Sequence, residues 1–236
     1  MRILIVSDVH ANPWALMAVA KDAGAFDHVL CAGGSVNYGS RPAEAIAWLW
    51  AHGAVAVRGN HDDAVAYNHH PRATAKKAAL AMPLRDWTQT RLQLAHLHWL
   101  GRLPLMLTWE CGGARFVMTH ATPTDTLYDY SLQPGASDEL FEQKLHAIDT
   151  DFIVLGHTHL PYVRKLNHSV VVNPGSVGQP LDGDSRASYA VWDDGQIFLY
   201  RVEYDLQLLI RTLDEPPLSP DLYQRLCNSF EKACMD

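Results

Sequence analysis

Short runs of apolar, largely β-branched residues recur along the chain, and each gives way within a few positions to glycine, serine or a polar cluster. Ile3–Val6, Val29–Leu30, Val55–Val57, Phe116–Met118 and Phe152–Leu155 have the length and composition of buried strands. The segments between them carry helical spacing, so the pattern predicts an α/β layered domain rather than an all-β or all-α one. Further on, Tyr162–Leu166, Val170–Val172, Tyr189–Trp192 and Ile197–Val202 are separated by the turn signals Asn167-His168 and Asp193-Asp194-Gly195. These predict the hairpins of a second, antiparallel sheet.

Two stretches depart from this rhythm. Between residues 65 and 103, Leu84, Trp87, Leu94, Leu97 and Leu100 recur at spacings of three and seven, as on one helical face. This predicts a helical insert, which either overhangs the polar cluster at residues 59–63 as a substrate cap or packs on a sheet with no part in chemistry. After Tyr204, Pro216-Pro217 and Pro220 interrupt a polar tail, residues 205–236, that is expected to end in a short helix near Leu222–Phe230.

Composition narrows the functional classes. Of the 236 residues, 48% are apolar and 19% charged, which excludes a disordered chain. Nineteen Lys and Arg against 26 Asp and Glu leave a net charge of −7, and the basic pairs, such as Lys76-Lys77, are weak. Nucleic-acid binding needs clustered cations, so it is not expected. No window approaches the roughly 18 consecutive apolar residues of a membrane span, and Ile3–Val6 begins too near Met1 to follow the basic region of a signal peptide. A cytoplasmic protein without membrane partners is expected. The four cysteines, Cys31, Cys111, Cys227 and Cys234, are dispersed and read as reduced thiols.

The 13 histidines carry the chemistry. Asp8-Val9-His10 follows the first run and His157-Thr158-His159 follows Gly156 after the fifth, where glycine permits close approach of backbone to a site. In extended backbone, residues two apart point the same way, so each pair would converge on one ion. Gly59-Asn60-His61-Asp62 follows the third run and Thr119-His120 the fourth. Any one of these is ordinary turn chemistry. Four strand ends supplying a D-x-H, an N-H, a lone His and an H-x-H are better explained by one shared crevice beyond the carboxyl ends of the strands. Imidazole, carboxylate and amide oxygen together suit Mn, Fe, Zn, Co or Ni.

In these motifs the chain resembles the calcineurin-like metallophosphoesterase superfamily, whose blocks run D-x-H, G-D-x-x, G-N-H-[DE], a lone His and G-H-x-H. The resemblance covers residues 1–204. Ser7-Asp8-Val9-His10-Ala11-Asn12, Tyr38-Gly39 and Asn173-Pro174-Gly175-Ser176-Val177-Gly178 fall as in its small bacterial and archaeal phosphoesterases. It implies a four-layer α/β/β/α sandwich of two mixed sheets, with two divalent transition metals at the strand ends. By position, Asp8, His10 and His159 would hold one metal and Asn60, His120 and His157 the other, with His61 as the acid beside the leaving group. Asn12 and Asn37, with Asn173, lie in the loops expected to contact substrate. The implied activity is hydrolysis of a small phosphorylated substrate, as a phosphodiesterase or phosphatase, by a metal-activated hydroxide.

One position breaks the pattern. Family members carry Gly-Asp after the second strand, and that Asp bridges both metals, whereas here Cys31-Ala32-Gly33-Gly34-Ser35-Val36-Asn37 aligns Gly34 with it. With Asp8 as the one assigned carboxylate, one metal should bind weakly and turnover should be impaired. Rescue by Asp62 or by an exogenous anion is one alternative, and a catalytically degenerate phosphate- or nucleotide-binding module is another.

Overall fold

The structure, a computed structural model, describes residues 1–72 and 75–235. The chain opens with β1 (Arg2–Val6), α1 (Pro13–Ala23), β2 (His28–Cys31), α2 (Pro42–Ala51), β3 (Val55–Ala56) and α3 (Asn60–Tyr67). Two helices follow, α4 (Ala75–Thr90) and α5 (Leu94–Arg102), then β4 (Met106–Cys111), β5 (Ala114–Thr119), α6 (Asp138–Leu145) and β6 (Phe152–Val154). Two hairpins, β7 (Tyr162–Lys165) with β8 (Val170–Asn173) and β9 (Ala187–Asp193) with β10 (Gln196–Val202), precede α7 (Leu206–Ile210) and α8 (Pro220–Glu231).

The strands form two five-stranded sheets, ordered β10-β9-β1-β2-β3 and β4-β5-β6-β8-β7. Both are mixed. β1, β2 and β3 run parallel in the first, and β5, β6 and β8 run parallel in the second. Alternation along β1 divides its side chains between two cores. Ile3 and Ile5 point inward with Phe116, Phe152, Val172 and Trp192 to fill the space between the sheets, while Leu4 and Val6 face Leu16, Val19, Ile46 and Leu49 of α1 and α2. On the far side, Phe141 and Leu145 of α6 cover Ile153 and Val171. The four layers are therefore helix, sheet, sheet, helix, as the family resemblance implies.

The late hairpins correct one expectation. They do not make a second antiparallel sheet, because β7–β8 joins β6 and β9–β10 joins β1. The parallel strands are divided between the sheets in the same way. Pairing with β1 buries Tyr189, Val191 and Trp192 on both faces of β9, a continuous apolar run that needs a neighbour on each side.

The segment 65–103 holds the end of α3, then α4 and α5, joined by non-helical stretches at 68–72 and 91–93; residues 73 and 74 lie outside the described residues. Within it, Leu84, Trp87 and Leu100 are buried, but Leu94 is exposed. Leu80, Ala81 and Leu84 of α4 pack with Leu209, Leu213, Leu226, Cys227 and Phe230 of the C-terminal segment around Tyr38. Ser219 caps α8 by accepting the Leu222 N–H, with Pro220 at the first helical position. No helix among the described residues is long and apolar enough to cross a membrane.

Candidate metal centre

The carboxyl ends of β1, β3, β5 and β6 meet at one rim; the loops leaving β1, β5 and β6 carry Asp8, His10, His120, His157 and His159, and the start of α3, just after β3, carries Asn60 and His61, all of them buried. Strand alternation is not what makes the D-x-H and H-x-H pairs converge. Asp8, His10, His157 and His159 all have positive φ, between 46° and 66°, so each pair sits in a tight left-handed loop. L-residues adopt that conformation at a cost that the surrounding contacts must offset, and such strain gathers at functional sites. Gly156 allows the loops to close: a β-carbon there would collide with Ser7 Oγ and lie 3.0 Å from Asp8 Oδ2.

Hydrogen bonds fix where the protons lie. His10 Nδ1 is 3.1 Å from the Val36 carbonyl, His120 Nδ1 2.6 Å from the Ala32 carbonyl and His159 Nδ1 2.5 Å from the Gln179 carbonyl. His157 bonds the main chain of Tyr128. A carbonyl only accepts, so in the neutral rings of His10, His120 and His159 Nδ1 carries the hydrogen and Nε2 presents a bare lone pair. His10 Nε2 and His159 Nε2 face each other at 3.1 Å. Asp8 Oδ1 lies 3.6 Å from the first, 3.4 Å from the second and 3.9 Å from His120 Nε2. His120 Nε2 also faces Asn60 Oδ1 at 3.1 Å, and His157 Nε2 is buried without a partner. Acceptors facing acceptors repel unless a cation lies among them. Asp8, His10 and His159 have ligand atoms within 4.8 Å of one another, so the donor set fits a divalent metal.

The electrostatics agree. Burial pushes the Asp8 carboxyl up, but the imidazoles of His159, His120 and His10 outweigh it and hold Asp8 well below the ordinary carboxylate range. Burial lowers His10 and holds His157 well below the usual imidazole range, which favours the neutral, metal-binding form of both rings. Asp8 Oδ2 accepts from Ser7 Oγ at 2.7 Å and from the His157 N–H at 2.9 Å, which leaves Oδ1 as the ligand atom.

Asp62 is not available to rescue the missing carboxylate. Its oxygens accept the main-chain N–H groups of Gly34, Gly59, Ser35 and Val36 at 2.9, 2.9, 2.8 and 3.3 Å. Burial nevertheless raises its pKa to about 6. Its role is to hold the β2 loop against the start of α3.

Asn12 and Asn37 do not reach the cavity wall. Asn12 caps α1, accepting from Ala15 N–H at 3.1 Å and donating to the Gly178 carbonyl at 3.1 Å. Asn37 Oδ1 accepts the Tyr38 N–H, so its Nδ2 donates to the Ala81 carbonyl at 3.3 Å and to His61 Nδ1 at 2.9 Å. The His61 hydrogen is thereby left on Nε2. Burial, and then the neighbouring imidazoles, hold His61 well below its usual range. Asn173 is used internally as well, donating to the Gly156 carbonyl and to Thr158 Oγ1.

A cavity of about 220 Å³ opens beside His157 and His159, lined also by Asn60, His61, Tyr38 and Tyr130. Tyr130 lies against the His157 ring, centroids 3.8 Å apart. None of the described lining residues comes from the insert, whose α4 packs on the C-terminal segment through Leu80, Ala81 and Leu84. Tyr130, Gln179 and Met235 are wall residues that sequence reading passed over. Only Gln179, immediately after the Gly175–Gly178 motif, had a neighbour to draw attention to it.

A model of the calcineurin-like phosphoesterase superfamily domain matches residues 1–194. The chain belongs to this superfamily. An uncharacterized protein of Methanocaldococcus jannaschii is 30% identical over 244 residues, spanning 95% of this chain and 96% of its own. A metallophosphoesterase from Sphaerobacter thermophilus is 32% identical with a TM-score of 0.79, covering 97% of this chain and 99% of the other. A hypothetical protein from Pyrococcus horikoshii shares the fold at 19% identity, with a TM-score of 0.82 and coverage of 95% and 97%. Superfamily membership makes divalent metal the natural occupant of the Asp8–His10–His159 cluster.

Proposed function

We propose that this chain is a metal-dependent hydrolase of small phosphoesters, with one divalent transition metal held tightly by Asp8, His10 and His159. A second, weaker position lies at Asn60, His120 and His157. The observation that carries this reading is the ring of inward Nε2 lone pairs around one carboxylate oxygen. Two dications against one carboxylate leave the pair poorly compensated. At an effective dielectric of about 20, a missing charge partner near 4 Å forgoes about 4 kcal/mol, which weakens the second ion.

A bound divalent cation supplies Lewis-acid polarisation of the phosphoryl group and a lowered pKa for water. The chain's own residues do the rest. Main-chain carbonyls hold each imidazole in the metal-binding tautomer, and Asp8 orients the first site. Neutral His61, with its hydrogen at Nε2, donates a hydrogen bond to the departing oxygen as charge develops there. The resemblance implies an acid beside the leaving group, and the Asn37 donor at Nδ1 supports its acting through the Nε2 hydrogen of the neutral ring.

The test pairs elemental analysis with hydrolysis of bis(4-nitrophenyl) phosphate and 4-nitrophenyl phosphate. The parent is expected to hold metal and to turn over at least one ester. His157→Ala and His159→Ala should lose metal, whereas His61→Ala should keep it and lose about tenfold to a thousandfold in turnover. Metal retained in both ligand variants would overturn the assignment. The lack of a carboxylate at Gly34 supports a second reading, a phosphate-binding module without turnover. Metal and phosphate bound without hydrolysis of either ester would select it.

A further inference from the structure

The cavity beside the metal centre has an apolar wall built from distant parts of the chain. Leu160 follows the ligand His159, Leu181 lies just beyond Gln179, and Met235 comes from the segment after α8. That segment is fastened to the loop that holds the metal ligand. Gly183 N–H donates to the Ala233 carbonyl at 3.0 Å, and Gln179 Nε2 donates to Ser229 Oγ at 3.0 Å. The Gln179 carbonyl in turn accepts from His159 Nδ1. Phe230 and Ala233 are fully buried, so Met235 follows a firmly anchored stretch.

We propose that Met235, with Leu160 and Leu181, is a specificity-determining wall that receives an uncharged ring on the leaving group of the phosphoester. The proposal rests on the phosphoesterase reading and adds to it the class of substrate. Among the described residues, no Lys or Arg lines the cavity. The phosphoryl charge therefore falls to the metals and imidazoles, and a charged leaving group would be desolvated against leucine and methionine with nothing to pair it. About 220 Å³ lies below the roughly 300 Å³ at which drug-sized pockets begin, which favours one ring over an extended chain. Methionine suits such a wall because its unbranched thioether adapts to a flat face.

The experiment measures binding by calorimetry on the metal-loaded full chain, with phenylphosphonate and methylphosphonate as probes that are not hydrolysed. The parent is expected to prefer phenylphosphonate by about tenfold. Met235→Ala should cut that preference by about threefold to fivefold, Met235→Leu should restore it, and Leu181→Ala should move it in the same direction as Met235→Ala. No preference in the parent, or an equal preference in the parent and both alanine variants, overturns the proposal. The probes are inert, so the result stands apart from the turnover assay that tests the phosphoesterase reading.

Discussion

Gly34 sits at φ +71° with its missing side chain aimed at the metal centre. A β-carbon there would lie 2.5 Å from Asp8 Oδ1 and 3.0 Å from Asp8 Cα, so Asp8 occupies the space in which a second carboxylate would begin. Asp8 cannot swing away freely, because its other oxygen is held by Ser7 and the His157 N–H. Gly34→Ala should therefore cost about 1–3 kcal/mol of stability through the left-handed backbone and should weaken metal binding by displacing Asp8. Gly34→Asp carries the same strain but returns a negative charge. Its metal content should exceed that of Gly34→Ala while its urea midpoint stays below the parent's, both read on the purified variants. Equal metal content in the two variants would show that charge at position 34 does not matter. The candidate ligands themselves are visible in the sequence because each is tied to a strand end by a short motif. What holds them is not visible. The carbonyls of Val36, Ala32 and Gln179 that set the tautomers are main-chain atoms, and no residue type marks them.

Helices α4 and α8 form a buttress behind the site, with Phe230 fully buried among Leu80, Leu84 and Leu226. Phe230→Ala should lower stability by about 3–5 kcal/mol, read as a fall in denaturant midpoint at unchanged slope. A loss below about 1 kcal/mol would mean that α8 is docked only loosely. Phe230 ends the run Leu222–Phe230 that the sequence marks as a short helix, but nothing in that run says where the helix docks. The same limit explains the strands. β1, β2, β5 and β6 stand out as apolar runs because they are covered on both faces, whereas β4 shows only alternating half-burial at a sheet edge. Its sequence, Met106–Cys111, mixes Thr, Trp and Glu and leaves no run to detect. Which sheet a hairpin joins depends on partners far away in the chain, and local pattern does not carry that information.

For the whole molecule, metal binding and folding are linked, since the ligands come from loops on both sheets and converge only in the folded chain. Metal at about a hundred times its dissociation constant should add about 2.7 kcal/mol, a rise of about 5–10 °C in Tm for a chain of this length. Calorimetric scans with added metal and with chelator would read it directly, and coincident transitions would count against a site that exists only in the native state. The strand order has a consequence for the order of assembly. β1 carries Asp8 and His10 at its end and is the first strand made, yet one of its edges is closed by β9, where Ile3 pairs with Trp192. Contacts so distant in sequence form slowly. Until residues near 190 leave the ribosome, the nascent chain carries an open strand edge bearing Ile3 and Ile5, the kind of surface that pairs with other chains. The first of the proposed metal ligands to be synthesised therefore wait for nearly the last strand, and a chain interrupted before Ala187 would aggregate instead of presenting half a site.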